Sequence, residues 1–234
     1  MSVIEHLTEL RRRLIISAVA IALGATLAFI LYDHILSFLI QPYCDTLPKG
    51  KPCTLFITDP LEGFATRLKV ATWVGFLFSS PVVLYQLWRF ITPGLNPKEK
   101  RYAIPFVVSS VVLFCLGALM ARLTFPQALH FLLTIGGSGL TPILSPSKYL
   151  RLVILVALAF GVAFLFPVLL VFLELAGVLT SRRLASWRRP AVVVIFVIAA
   201  VITPSQDPYS LFAMAVPMCV FYEASILIGK VLKK

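Results

Sequence analysis

The sequence predicts an all-α integral membrane protein with six transmembrane helices and both termini in the cytosol. Of its 234 residues, 59% are hydrophobic and 13% are charged, and the mean hydropathy is +0.95. These values lie outside the range of soluble globular domains. Six apolar runs alternate with short connections. Because a helical crossing takes about 20 apolar residues, the chain has room for six spans in a single membrane domain, 1–234, but not for an added soluble domain.

The six runs predict transmembrane helices because each is apolar over most of a bilayer crossing. In chain order they cover about 14–32, 70–88, 102–125, 149–173, 190–203 and 211–228. The first follows a basic segment and could be a cleaved signal peptide. Its apolar run continues past any plausible cleavage point, however, which favours a membrane anchor.

The fifth run, "PAVVVIFVIAAVIT", is short. Its roughly 14 residues reach only about 21 Å across a hydrocarbon layer near 30 Å. Either flanking residues lengthen this helix, or the hairpin that it forms with the sixth span ends below the outer lipid surface. Prolines in or near the spans favour bending, so we expect kinked helices and a concave body. These prolines are Pro81, Pro105, Pro126, Pro167 and Pro217.

The basic residues predict the orientation of the chain. Of the 21 lysines and arginines, fourteen fall on the side that holds both termini and seven on the other side. Cationic loops resist translocation, so the first side is predicted to be cytosolic. The same distribution accounts for the net charge of +11 without nucleic acid as a partner.

The longest predicted outer loop runs from Asp33 to about Glu62 and contains Cys44 and Cys53. With the predicted orientation, both cysteines face an oxidising compartment, where they can close a disulfide. The sequence leaves open whether they are bonded.

Residues for bond chemistry are scarce. The three histidines lie far apart, and His6 with Glu9 would supply only two ligands, so neither a metal site nor a cofactor is predicted. The sequence contains no phosphate-binding loop, GxSxG or HExxH motif, and no nucleophile is paired with a base. The sequence therefore favours a protein that is not an enzyme.

The N-terminal segment "HLTELRRRL" places an acid among three arginines. On a helical wheel Leu7, Leu10 and Leu14 form an apolar stripe, predicted to lie along the inner membrane surface, and Glu9 projects from the opposite face towards the cytosol. Glu9 is then available for a ligand. The alternative is an i,i+4 salt bridge from Glu9 to Arg13.

Other polar residues have structural explanations. Glu99 in "NPKEKR" can complete a capping box at the start of the third span. Asp207 can cap the sixth helix, which we favour over a role in coupling. Glu62 can anchor the outer loop, and Gln86 can bond between helices. Glu223 lies deep in the last span and needs a partner.

Several segments resemble the TatC family of twin-arginine translocase proteins. "HLTELRRRL" resembles its N-terminal HLxELRxRL motif, and "TDPLEGF" its first outer-loop motif. "SPVVLYQLWRFITPGLNPKEKR" resembles the end of its second span and the entry to its third. "FGVAFLFP", "TPSQDPYS" and "VPMCVFYEASILIGK" resemble its fourth span, last outer loop and final span. The resemblance covers nearly the whole chain in order.

The resemblance implies a multi-pass protein of the bacterial inner membrane that receives twin-arginine signal peptides of folded cargo at its cytosolic face. It also implies an oligomeric complex with single-span TatA/TatB-type subunits in a lipid membrane, and export driven by the proton-motive force. Carried over by motif, the contacts to the signal peptide are Glu9 and Glu99, with Arg11, Arg13 and Phe90 in support.

The chain departs from the family at Leu165, where the FGxxFExP motif has a glutamate. Glu174 does not replace it, because nine residues along a helix lead to the opposite face, and it is predicted to be a snorkelling residue at the helix end. A small-solute or proton-coupled transporter that titrates Glu174, Asp207 or Glu223 is the alternative function. The absence of internal repeats counts against it.

Overall fold

The computed structural model describes residues 3–47, 53–57, 59–91, 103–137 and 144–231. Within these ranges all regular structure is helical. The helices are α1 (Val3–Ile30), α2 (Tyr32–Cys44), α3 (Glu62–Ile91), α4 (Ala103–Thr134), α5 (Pro146–Ala163), α6 (Phe166–Leu175), α7 (Ser181–Ser186), α8 (Arg188–Ile202) and α9 (Pro208–Val231). Five stretches of the described chain, namely α1, α3, α4, α5 together with α6, and α9, are long and apolar enough to cross a membrane. The predicted all-α membrane fold is therefore confirmed, and six spans with cytosolic termini are compatible with it.

Most of these helices extend beyond the apolar runs that predicted them. The first span was predicted to end at residue 32, but α1 ends at Ile30 because Leu31 forms a turn before α2. The predicted start of the third span, residue 102, lies outside the described residues. α8 has 15 residues, or about 22 Å, so flanking residues do not lengthen it to a full crossing. The single-domain organisation stays a prediction.

α1 packs mainly on α3, and small residues allow the two backbones to touch. A Cβ placed on Gly75 would lie 2.3 Å from the backbone nitrogen of Ala25, and one on Gly24 would lie 2.7 Å from the carbonyl oxygen of Gly75. The Ser79 hydroxyl donates a hydrogen bond to the carbonyl oxygen of Ala20, at 2.7 Å. Small-residue contact and interhelical hydrogen bonding are the usual ways of associating helices in lipid.

The predicted bending appears most clearly between α5 and α6. The helix is interrupted at Phe164 and Leu165, just before Pro167, whose ring cannot continue the hydrogen-bond ladder. By contrast, α3 and α9 continue through Pro81 and Pro217. The concave shape of the whole body stays a prediction.

The core lies between α4, α5 and α9, around Phe125, Tyr149, Phe160, Met214 and Met218. α2 is bonded to the end of this core that is predicted to be outer. The Tyr149 hydroxyl donates to the carbonyl oxygen of Leu39 at 2.9 Å. A disulfide joins Cys44 at the end of α2 to Cys53, which settles the pairing that the sequence left open.

Candidate functional site

The candidate site lies where the first turns of α1 meet the last turns of α3. There the rings of His6 and Phe90 stack with their centroids 4.6 Å apart. The close crossing at Gly24 and Gly75, further along the same two helices, fixes their relative position. Two contacts therefore hold the N-terminal turns of α1 against α3: the ring stack at one end and the glycine crossing further along.

An ion pair and an amide connect the two helices at this place. Arg13 Nη2 donates to Glu9 Oε1, and Arg13 Nη1 donates to Gln86 Oε1 at 3.4 Å. The side chains of Arg13 and Glu9 are 13% and 22% exposed. Glu9 Oε2 is buried and has no hydrogen-bond partner among the described residues. Arg13 thus holds one carboxylate oxygen of Glu9 and leaves the other uncommitted.

One prediction about the N-terminal segment is wrong. The segment is the first part of α1, which is one unbroken helix, and the position of its apolar stripe along the membrane surface stays a prediction. Glu9, however, points towards α3 and not towards the cytosol. Leu7 and Leu14 of the apolar stripe are 58% and 60% exposed, whereas Glu9 and Arg13 face α3. In lipid, large apolar side chains gain nothing by leaving the surface, and small and polar residues line the helix contacts.

The structure brings some of the predicted signal-peptide residues together. Glu9 and Arg13 are bonded, and Phe90 is joined to the start of the same helix through His6. Arg11 lies on the exposed side of α1. The interhelical bond predicted for Gln86 is confirmed. Glu99 lies outside the described residues, so its capping role and its role in binding stay predictions.

Sequence reasoning missed two contributors to this site. His6 was considered only as a metal ligand. It lies three residues before Glu9, and Arg13 lies four residues after Glu9, so the three side chains share one face of the helix. This spacing could have indicated that His6 belongs to the site. Arg89 Nη1 donates to the hydroxyl oxygen of Tyr85 at 3.3 Å, and its guanidinium carbon lies 5.9 Å from the centre of that ring. Arg89 is therefore the second cation of the site, after Arg13, and it lies beside the ring of Tyr85 near the end of α3.

Two acids predicted to be structural have local partners at the end of the molecule that is predicted to be outer. The Ser147 hydroxyl donates to Glu62 Oε1 at 2.7 Å, which ties the start of α3 to the start of α5. Asp207 is 1% exposed, and its Oδ1 accepts from the backbone N–H of Ser210 at 2.7 Å. Asp207 therefore caps α9.

Glu223 and Glu174, on the side predicted to be cytosolic, differ in their surroundings. Glu223 is half-exposed and pairs with Arg188 at 2.8 Å, which supplies the partner that its position demanded. The prediction that Glu174 snorkels is wrong, because its side chain is only 1% exposed. Gly229 of α9 leaves room for the Glu174 carboxylate and for the Ser181 hydroxyl at the start of α7. α9 packs along α6 and covers the carboxylate, which a free helix end would expose.

The described residues contain no group of three His, Cys, Asp or Glu side chains that could hold a metal ion. What the site offers is a carboxylate, cations and aromatic rings at a helix crossing. This arrangement can bind a cationic ligand through charge-assisted hydrogen bonds.

The family model described as Sec-independent protein translocase protein (TatC) matches residues 5–217. The chain belongs to the TatC family. Among TatC proteins, the one from Aquifex aeolicus is 43% identical over 98% of this chain and 95% of its own length. The one from Frankia casuarinae is also 43% identical over 98% of this chain, which spans 65% of that longer relative.

A solved structure agrees with this assignment. The crystal structure of the twin-arginine translocase receptor TatC is 41% identical to this chain, covers 98% of it and 100% of its own chain, and superposes with a TM-score of 0.78. In this TatC-family chain Leu165 lies at the break between α5 and α6 and packs, partly buried, against the core. An apolar packing residue thus stands at the position where the resemblance predicts a glutamate, at the point where the helix bends.

Proposed function

We propose that this chain is the receptor subunit of a twin-arginine protein translocase, which binds twin-arginine signal peptides at its cytosolic face and takes part in proton-motive-force-driven export of folded proteins. Membership of the TatC family supports this role, because the family is one of Sec-independent protein translocases. Family membership also argues against the alternative function, a small-solute or proton-coupled transporter. TatC proteins are components of a translocase and perform no bond chemistry of their own.

The observation that carries the proposal at residue level is the uncommitted oxygen of Glu9. Arg13 holds Oε1, and Oε2 has no partner within the described residues. Because Oε2 is buried, an incoming guanidinium reaches it by displacing Arg13, which keeps its bond to Gln86. A guanidinium offers two parallel donors to a carboxylate, whereas an ammonium is a point charge, so the exchange favours arginine over lysine.

The neighbouring residues supply selectivity in this proposal. Glu99 is predicted from the sequence as the second carboxylate for the arginine pair, and Phe90 as an apolar contact beside it. Arg11 on the exposed face of α1 repels cationic segments that offer nothing else. Only a ligand that also brings an apolar stretch, laid against the spans, gains enough to bind.

The setting of the proposal is the bacterial inner membrane, where the chain crosses the lipid several times. The described helices expose many large apolar side chains, as expected of a surface that meets lipid or other spans. The family is part of a translocase complex. The finer assignment, that single-span TatA/TatB-type subunits are the partners in that complex, belongs to this proposal.

The proposal is tested by photo-crosslinking signal peptides to the purified full chain in vesicles. A twin-arginine peptide should label the chain more strongly than its twin-lysine counterpart. Glu9→Gln should lower twin-arginine labelling by about tenfold, since a hydrogen bond to a charged group is lost. The same should hold for Glu99→Gln.

Glu5→Gln is the matched control, because it removes an acid one turn earlier in α1, where the side chain is exposed. It should leave labelling unchanged. Equal labelling by the two peptides, together with unchanged labelling of both the Glu9→Gln and Glu99→Gln chains, would overturn the proposal.

A further inference from the structure

An apolar cavity of about 460 Å³ lies between α6, α7 and α8, against one side chain of α9. Its walls include Phe166, Leu170, Leu184, Trp187 and Ile195. Tyr222 of α9 also lines it, but its hydroxyl is satisfied by the carbonyl oxygen of Leu184 at 2.7 Å. The cavity therefore offers an apolar occupant a wall without competing polar groups.

Four arginines flank Trp187 in the sequence, on the side predicted to be cytosolic. They are Arg182, Arg183, Arg188 and Arg189, and all four are exposed. The guanidinium carbon of Arg183 lies 5.0 Å from the centre of the Trp187 ring, which places a cation directly at the rim. In the part of the chain that the structure describes, Arg188 alone of the four has a carboxylate partner, Glu223.

We propose that this cavity binds one acidic phospholipid, with an acyl chain against the apolar walls and the phosphate on Arg183 and its neighbour Arg182. The argument is charge complementarity. Guanidinium groups bind phosphate oxygens through paired hydrogen bonds, and basic pockets beside transmembrane helices select acidic headgroups. Trp187 is half-exposed at the boundary between the two parts, the position that indole prefers at a membrane interface.

The occupant must combine an apolar chain with an anion. A free phosphate lacks the chain, and an apolar helix of another protein lacks the anion. This lipid site is separate from the crossing of α1 and α3, so it does not depend on the proposed signal-peptide contacts.

The test uses the quenching of Trp187 fluorescence by brominated lipid. The full chain, carrying Trp73→Phe and Trp88→Phe so that Trp187 is its one remaining tryptophan, is reconstituted in mixed vesicles of phosphatidylglycerol and phosphatidylcholine. Either the first or the second lipid carries the bromine. At equal mole fraction, phosphatidylglycerol should occupy the site with about a fivefold preference, the effect of a single basic side chain near a lipid surface. If the double variant does not fold, the difference between the unaltered chain and Trp187→Phe gives the same signal.

Two sets of variants distinguish the site from general attraction. Replacing Arg182 and Arg183 with glutamine should abolish the preference. Glutamine at Arg12 and Lys230, two exposed cations on the same predicted side, is the charge-matched control and should leave the preference unchanged. With Trp187 kept as the reporter, Ala191→Phe should fill the cavity and remove the preference. Val193→Phe adds a ring on the exposed side of α8 and should leave the preference unchanged. Equal quenching by the two lipids in the unaltered site, as expected for a wall that meets bulk lipid or a partner helix, overturns the proposal.

Discussion

At the scale of single residues, two roles can be distinguished for the carboxylate of Asp207: a cap for a helix or a group that takes part in coupling. It is almost fully buried in the outer loop, and one of its oxygens accepts the backbone N–H of Ser210 in the first turn of α9. An N-cap needs an acceptor at this position but not a charge. Asn can therefore replace Asp207 in a cap, but it cannot replace a group that gains and loses a proton.

Asp207→Ala should lower the free energy of unfolding by about 1–2 kcal/mol, because the first turn of α9 loses its acceptor. Asp207→Asn should cost less than half as much and should leave translocation intact. Unfolding in mixed micelles and export of a reporter cargo measure the two effects. A chain with Asn that is stable but cannot export would show instead that the carboxyl proton of Asp207 takes part in coupling.

Some residue contacts were predictable from the sequence and others were not. The cap at Asp207 and the bond of Gln86 follow from local position. The burial of Glu174 depends on Gly229, which is far away in the chain and visible as its neighbour only once α9 is packed against α6. Glu9 was expected to face the cytosol because a helical wheel shows which residues share a face of α1, but not that α3 packs against the polar face.

At the scale of elements, the pairing of α1 with α3 depends on the absence of side chains at their crossing. A Cβ on Gly75 would lie 2.3 Å from the Ala25 nitrogen, a backbone atom that cannot move without shifting the helix. Gly75→Ala should therefore lower the free energy of unfolding by about 1–3 kcal/mol, as overpacking does elsewhere. Thermal unfolding in detergent measures this loss.

Gly63→Ala is the control for that prediction, because it makes the same change in the same helix where the nearest atom, Cδ1 of Ile57, is 3.8 Å from the added carbon. Alanine is the better helix former, so this variant should be as stable as the original chain or more stable by up to about 1 kcal/mol. If Gly75→Ala were as stable as Gly63→Ala, the crossing would tolerate a methyl group and α1 and α3 would be held by other contacts.

The elements themselves were largely predictable, since apolar runs and prolines mark the spans and the α5–α6 break. Helix ends were less so. α1 begins well before its apolar run because the basic segment is itself a good helix former, and α3 begins near Glu62 rather than at residue 70. The pairing of α1 with α3 could not be read from periodicity, since small residues recur in several spans.

At the scale of the whole molecule, the unequal lengths of the helices lead to a prediction about the bilayer. α8 reaches only about 22 Å, whereas α5 and α6 together extend over residues 146–175. The outer ends of α8 and α9 should therefore lie below the outer surface of a thick bilayer, but near the surface of a thin one. A cysteine at Gln206, which is exposed in the loop between them, reports this depth.

With Cys115 and Cys219 replaced by alanine, Gln206→Cys should react with a membrane-impermeant maleimide several-fold more slowly as the acyl chains of the vesicles are lengthened. Lys148→Cys is the reference. It is exposed at the start of α5 on the same predicted side, and at the end of a full-length crossing it should react at a rate that does not depend on acyl length. Rates that fall in parallel at the two positions would mean that the whole molecule sinks or tilts. A constant rate at Gln206→Cys would mean that the bilayer thins around α8 or that flanking lipid adapts, leaving the loop in water at every thickness.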